Sequence, residues 1–348
     1  MVWTLPISRD DDSVELRCPY EGGTLHQVDG SLICPNGHRH FVVDGVPVLL
    51  RDDVPETIGL IKSSLAAVHQ PEEAPLYLGS VGISKDERMR AQDLSRSSRP
   101  RIDPVVAVLV GATSGHAYRH LIGKLDEYPI PEIHLPGSAG ERLLDLGCSW
   151  GRWSMAAARK GYRVTGIDPS LGAVLAGKRA SRQLGLDIEF ICADARYLPF
   201  APGSFDVAYS YSVVQHFSEA DVERVLDEVS RVLAPGGYSV IQMAHHGGPL
   251  SLYHQMRRGF RSPKEFEVRY WRLSQLQRTF QERIGPTQIE AHSFFGLGIE
   301  RSDAHLLRRT ARVAATISER ICWLSRRANP LLGLTDSVYV KSSKPVGA

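Results

Sequence analysis

A parallel, doubly wound α/β sheet is the fold class the sequence predicts, and three observations predict it. Between Leu143 and Val240, short β-rich runs alternate with helical ones. Each β-rich run is apolar almost throughout, as a strand covered on both faces must be. A glycine-bearing turn, LLDLGCSWGRW from Leu143 to Trp153, joins the first strand to the first helix, the place where such sheets bind ligands.

The strands are RLLDLG, YRVTGID, DIEFICAD, SFDVAYSYS and GYSVIQMA, and the helices between them are RWSMAAARK, SLGAVLAGKRASRQLG and EADVERVLDEVSRVLAPGG. Ser218 is placed to N-cap the third helix, with Asp221 three residues on, and Pro235-Gly236-Gly237 marks its stop. The flanks differ. Residues 1–50 carry two Cys-Pro pairs and read as short strands and turns. Residues 51–140, rich in Pro, Ser and Arg, read as a helical linker or cap, with helices near Pro55 to His69 and His116 to Tyr128 and a mobile link at SRSSRPRIDP. Residues 141–348 are the main domain, with a helical insertion at about 249–335 whose last helix runs from Asp303 to Arg327. QIEAHSFFG and SVYVKSS supply later strands.

A chain of 348 residues can bury a sizeable core. Its 41 Lys and Arg against 39 Asp and Glu leave a net charge of +2, too little to argue for a nucleic-acid or membrane partner from the whole chain. The five scattered cysteines are not a disulfide framework and suit a reducing compartment. The first residues lack a basic segment followed by an apolar run, and no stretch approaches the roughly 20 apolar residues of a membrane span. These features predict a cytoplasmic protein.

Within the turn, Gly147-Cys148-Ser149-Trp150-Gly151 satisfies G-x-S-x-G, the nucleophile elbow of a serine hydrolase. That elbow follows a central strand with others already laid down, and His245 or His292 would have to complete the triad. Almost no alternation precedes Leu143, and Asp145 would lie unpaired in an apolar strand at a cost of several kcal/mol. A cofactor loop gives Asp145 a purpose and leaves Ser149 as a small residue in a turn. The spacing is not the dinucleotide G-x-G-x-x-G. Acids before the loop (Asp145), at the end of the second strand (Asp168) and after the third (Asp194) suit a ligand that is cationic and free of phosphate.

These segments together resemble class I S-adenosylmethionine-dependent methyltransferases of the type 11 kind. LLDLGCSWG, GIDPS, CADARYLPF, FDVAYSYSVVQHF and VLAPGGYSVI match that family's motifs in order and spacing over about residues 141–245. The resemblance implies a Rossmann-like, seven-stranded sheet with its last strand antiparallel, and S-adenosyl-L-methionine as cofactor. It further implies that Asp145, Gly147, Ser149 and Gly151 line the methionine side and that Asp168 accepts the ribose hydroxyls. Asp194 would accept from the adenine amino group, beside Ala195, with Tyr211 also at the cofactor. Helix capping is the plain alternative for Asp168 and Asp194.

In-line methyl transfer requires alignment and exclusion of water, and an oxygen or nitrogen acceptor also calls for a base. Tyr211, His216 and His245, at the ends of the fourth and fifth strands, are the catalytic candidates. Arg269, Tyr270 and Trp271, in FEVRYWRLSQLQRTF, are the candidates for the acceptor pocket. Tyr118 and Arg119 are placed to close over the cofactor. SYSV stands where base methylases of this family carry Asn-Pro-Pro-Tyr, which tilts the reading to a small-molecule acceptor. An RNA methyltransferase, a non-catalytic cofactor-binding module and the serine hydrolase are the alternatives.

RCPYEGGTL and ICPNGHRHFVVDGVPVLL resemble the zinc ribbons that precede some bacterial methyltransferases, including a ribosomal RNA guanine methyltransferase. Cys18, Cys34 and His38 match three of the four expected ligand positions, and Glu21 stands at the remaining one. Structural zinc favours sulfur and nitrogen, so the reading favours a ribbon that persists without metal over one that holds zinc, with His26 and His40 as spare ligands. The basic helix HLLRRTARVAATISERICWLSRR is read as a lid on the acceptor pocket, then as a membrane contact, then as an RNA contact.

Overall fold

The computed structural model describes residues 14–56, 59–69, 76–97, 101–113, 116–296, 301–325 and 329–347. The chain begins with a three-stranded antiparallel ribbon, β1 (His26–Val28), β2 (Ser31–Ile33) and β3 (Arg39–His40). Asp29 and Gly30 turn it at φ of 47° and 74°, the left-handed pair that a two-residue hairpin turn needs. A second hairpin, β4 (Val42–Val43) and β5 (Val46–Leu49), then leaves the ribbon. Three helices follow: α1 (Leu60–Val68), α2 (Lys85–Ser95) and α3 (Pro104–Thr113).

The main sheet starts at β6 (Arg142–Leu146) and continues through α4 (Arg152–Ala158), β7 (Arg163–Asp168), α5 (Leu171–Gln183) and β8 (Ile188–Ala193). Next come β9 (Phe205–Ser210), α6 (Glu219–Val232), β10 (Leu233–Ala244), α7 (Pro249–Arg257) and α8 (Leu273–Arg283). β11 (Thr287–Ser293), α9 (Arg309–Ser325) and β12 (Ser337–Ser343) close it. The strand order is β11-β12-β10-β9-β6-β7-β8-β5-β4. β6 to β10 pair in parallel, while β12 runs antiparallel to β10 and to β11. The expected seven-stranded, Rossmann-like core is present, extended to nine strands because β5 pairs in parallel with β8, Val48 opposite Cys192. Side chains alternate across it: Leu143 packs with α3 and α5 on one face, and Leu144 and Leu146 pack with α6 and α8 on the other.

Several elements depart from expectation for physical reasons. α3 (PVVAVLVGAT) carries no amphipathic stripe because Val105 to Val110 are buried all round, and Asp103 caps it by accepting from the N–H groups of Val105 and Val106. The helix expected over His116 to Tyr128 is a single 3-10 segment, His116–Leu121. Pro235 to Gly237 does not end a helix but forms an irregularity inside β10, which starts at Leu233. The insertion falls into two pieces, since α8 and β11 belong to the sheet's own layers. Residues 57–58, 98–100 and 326–327, parts of the expected helices and link, lie outside the described residues.

Candidate functional site

The loop after β6 is built by backbone bonds. The N–H groups of Gly147 and Cys148 both donate to the Ile167 carbonyl, at 2.8 and 2.9 Å, tying the loop to β7. Ser149 takes a left-handed φ of 51°, which aims its own N–H at Asp168 Oδ2, 3.0 Å away. At Gly147 (φ 73°) a Cβ would sit 2.4 Å from Val213, so the turn admits only glycine. Gly151 is constrained in the same two ways: its φ is 80°, and a Cβ there would meet the Phe190 ring at 2.7 Å. No histidine hydrogen-bonds the Ser149 hydroxyl among the described residues, and the loop follows the first strand of the main sheet to be laid down after the helical linker. Both facts set the hydrolase reading aside.

Two carboxylates converge beneath this loop. Asp145 is almost fully buried and accepts from Ser154 Oγ at 2.6 Å; burial, followed by the neighbouring charge of Asp168, pushes its carboxyl up to about 7. Asp168 accepts from the N–H groups of Ser149 and Ser170, and burial raises it to about 6. Neither has a cationic partner among the described residues. The linker closes this end of the sheet: Ser64 Oγ donates to the Pro169 carbonyl, and Ser170 Oγ donates to that of Ser80, each at 2.7 Å.

Asp194 behaves differently. Arg196 grips both of its oxygens through Nε and Nη2, its backbone N–H bonds Oδ1, and both side chains are buried. Three N–H groups make four hydrogen bonds to this carboxylate, so Asp194 stands in an internal ion pair where the sequence suggested an adenine contact. Arg196, one residue beyond the buried Ala195, was the missed signal in CADARYLPF. By contrast, each Asp168 oxygen holds one donor and keeps a second position for a ligand.

Tyr211, just past β9, stacks on Trp153 with ring centroids 4.3 Å apart, and its hydroxyl lies 3.3 Å from His292 Nε2. His292 Nδ1 is in turn 2.7 Å from Ser337 Oγ, and Tyr339 packs edge-on against the imidazole. Because β12 is antiparallel, its first residue, Ser337, reaches the same sheet edge as the ends of β9 and β11. His292 is thus the histidine brought to Tyr211, in place of the two expected. His216 is stacked on Phe266 with Nδ1 on the Phe266 carbonyl, and burial lowers it to about 4. His245 is buried against the Thr335 carbonyl, and burial lowers it too. Arg269 donates to the His216 carbonyl, Tyr270 carries Arg258 over its ring, and Trp271 is buried, its backbone paired with Ala244 and His246. Trp271 is thus part of the packing, while Arg269 and Tyr270 are half-buried.

Residues 143–237 match the profile of a methyltransferase domain family. A ubiquinone biosynthesis O-methyltransferase of Brucella anthropi is 38% identical over 98 residues, 28% of this chain and 39% of that protein. A demethylmenaquinone methyltransferase of Clavibacter sepedonicus is 43% identical over 105 residues, 30% of this chain and 41% of that one. Residues 143–237 are a class I methyltransferase domain. The matches span about two fifths of these relatives' own length. Among solved structures, an S-adenosylmethionine-dependent methyltransferase of Methanosarcina mazei aligns at 22% identity with a TM-score of 0.43, over 60% of this chain and 94% of that one.

Outside its matched core, the methyltransferase domain is gripped from two sides. Arg152, the first residue of α4, is buried with its guanidinium on Asp303 and its Nε on the Pro129 carbonyl; Tyr118 also donates to Asp303. Tyr118 and Arg152 therefore lock the loop after β6 to the segment before α9, and Arg119 carries no bond of this kind among the described residues. On the other side is the ribbon, where Cys18, Glu21, Cys34 and His38 bring ligand atoms within 4.8 Å of one another. His38 Nδ1 is 3.7 Å from Cys18 Sγ, 3.3 Å from Cys34 Sγ and 3.9 Å from Glu21 Oε1. His40 Nε2 stands 3.5 Å from Cys18 Sγ, while His26 is outside the group. The cleft between ribbon and domain, lined by Arg17, Arg196 and Arg224, lies away from the loop.

Proposed function

We propose that this chain binds S-adenosyl-L-methionine at the β6 and β7 ends and methylates an oxygen, nitrogen or carbon centre of a small molecule. One observation carries the reading: two buried carboxylates without a cationic partner among the described residues converge on a glycine loop, and a cation bound there would stabilise their ionised forms. Asp168, with acceptor positions left on both oxygens, would take the ribose hydroxyls, and Asp145 with the loop would face the methionine end. When bound, the cofactor supplies a methyl group on cationic sulfur, a leaving group that needs no acid. Tyr211 is proposed to receive the acceptor's proton at its oxygen and pass its own to His292 Nε2, while Ser337 holds the Nδ1–H tautomer. Trp153 and Tyr339 exclude water around it. The likeness to a ubiquinone biosynthesis O-methyltransferase and a demethylmenaquinone methyltransferase supports a small-molecule acceptor.

For the ribbon, the same reasoning supports one zinc ion on Cys18, Glu21, Cys34 and His38. The three separations from His38 Nδ1, 3.3–3.9 Å, match the edges of a tetrahedron about an ion held at roughly 2.0–2.3 Å, and all four ligand atoms lie within 4.8 Å of one another. This weighs against the metal-free ribbon that the sequence favoured, and gives the ion a structural role.

Calorimetry with S-adenosylmethionine tests the central claim: binding is expected, and Asp168→Ala should weaken it about a hundredfold through two lost charge-assisted hydrogen bonds. Unchanged affinity would remove the ribose role. Labelled S-adenosylmethionine incubated with small-molecule and RNA extracts then shows which fraction gains the methyl.

A further inference from the structure

α9 is turned inside out for a helix of a water-soluble domain. Its inward face is small: Ala315, Ser318 and Ser325 are buried, Ser318 Oγ accepts the Phe294 N–H, and Cys322 Sγ donates to the His292 carbonyl. Its large apolar side chains point outward, with Val313 59% and Trp323 52% exposed, and Ile317 and Leu324 exposed beside them. At 100° per residue, Val313, Ile317 and Leu324 share an arc of about 40°. Arg309 and Arg320 adjoin this arc, while Arg312 lies on the helix flank about 120° from its centre, beside Trp323; all three are exposed. The charge is regional: residues 249–334 carry fifteen Lys and Arg against seven Asp and Glu, in a chain whose net charge is only +2.

We infer that the outward face of α9 docks on an anionic lipid bilayer. A protein partner is disfavoured by the pattern, because the buried centre of a protein interface is depleted of charge, whereas here arginines interleave with the apolar stripe. A bilayer surface accommodates that mixture: Val313, Ile317 and Leu324 enter the acyl boundary, Trp323 sits at headgroup level, and arginine stems snorkel to the phosphates. Cys322 ties α9 to His292, so the docked face lies one helix away from Tyr211. The site that this chain is proposed to use for methyl transfer would then open beside a lipid phase, which suits an apolar acceptor.

The full chain is tested by flotation with phosphatidylcholine vesicles containing about one third phosphatidylglycerol, at about 50 mM salt. Binding is expected there, with little to pure phosphatidylcholine. Arg309→Gln, Arg312→Gln and Arg320→Gln together should lower partitioning about a hundredfold, at roughly fivefold per basic residue. Ile317→Asn with Leu324→Asn should abolish it. Calorimetry with S-adenosylmethionine on the same variants separates a lost docking face from a lost fold, and keeps failure of docking distinct from failure of the methyltransferase reading. The inference is overturned if the wild type does not float, if it binds neutral vesicles equally, or if light scattering shows a dimer that Ile317→Asn and Leu324→Asn dissolve.

Discussion

Acidification should weaken S-adenosylmethionine binding, and the buried acids set how steeply. In the free chain, burial holds the Asp168 carboxyl up to about 6 and that of Asp145 up to about 7. A cationic ligand binds the ionised forms, because a protonated Asp168 loses both its charge and one acceptor position. Lowering the pH therefore removes competent molecules: at pH 5 about one Asp168 in eleven remains ionised, a loss of about tenfold relative to pH 8. Asp145 adds to this in the same direction, with its midpoint about a unit higher. The assay is calorimetry across pH 5 to 8 at constant ionic strength, with Asp168→Asn alongside, in which only the Asp145 part of the slope should survive. A wild-type affinity flat across that range, or an identical slope in Asp168→Asn, would refute the claim that these acids meet the cofactor's charge.

Three further outcomes are expected. Zinc should copurify at about one per chain and be absent from Cys34→Ala by elemental analysis; metal-free protein with an unchanged melt in chelator would return the ribbon to a fold without metal. Tyr211→Phe and His292→Ala should each lower kcat by about a hundredfold with KM little changed, while His216→Gln should not, once the acceptor is known. Asp303→Ala should cost about 3–5 kcal/mol in denaturant melts, because it strands the buried Arg152 guanidinium. Pairing it with Arg152→Met should recover part of that loss, and no recovery would show that the ion pair is not what holds the segment before α9.

Legibility tracked the local character of each signal. β6 to β10 are continuous apolar runs with capped helices between them, and Ser218 caps α6 as its position suggested, accepting the Asp221 N–H at 3.1 Å. α3 escaped because a helix buried on every side has no stripe to read. β5 reads as part of the ribbon because VPVL carries no mark of its partner, and its pairing with β8 depends on residues far along the chain. Within the proposed site, Asp145 and Asp168 were readable from strand ends and spacing as acids without a cationic partner among the described residues. Asp194 was not, because its fate depends on Arg196, whose guanidinium also reaches the Pro55 carbonyl. His292 was missed as a companion to Tyr211 because the two sit 81 positions apart and meet only through the antiparallel return of β12.

The β5 pairing also bears on how the chain is made. A ribosome delivers the β4–β5 hairpin long before β8 exists, so this hairpin must wait, unmatched, while the linker and two more strands emerge. Conversely, a shortened chain lacking its first fifty residues would leave the flank of β8 bare, with main-chain donors and acceptors free to recruit a neighbouring molecule. Such truncations are expected to precipitate even if every residue of the proposed cofactor site is kept.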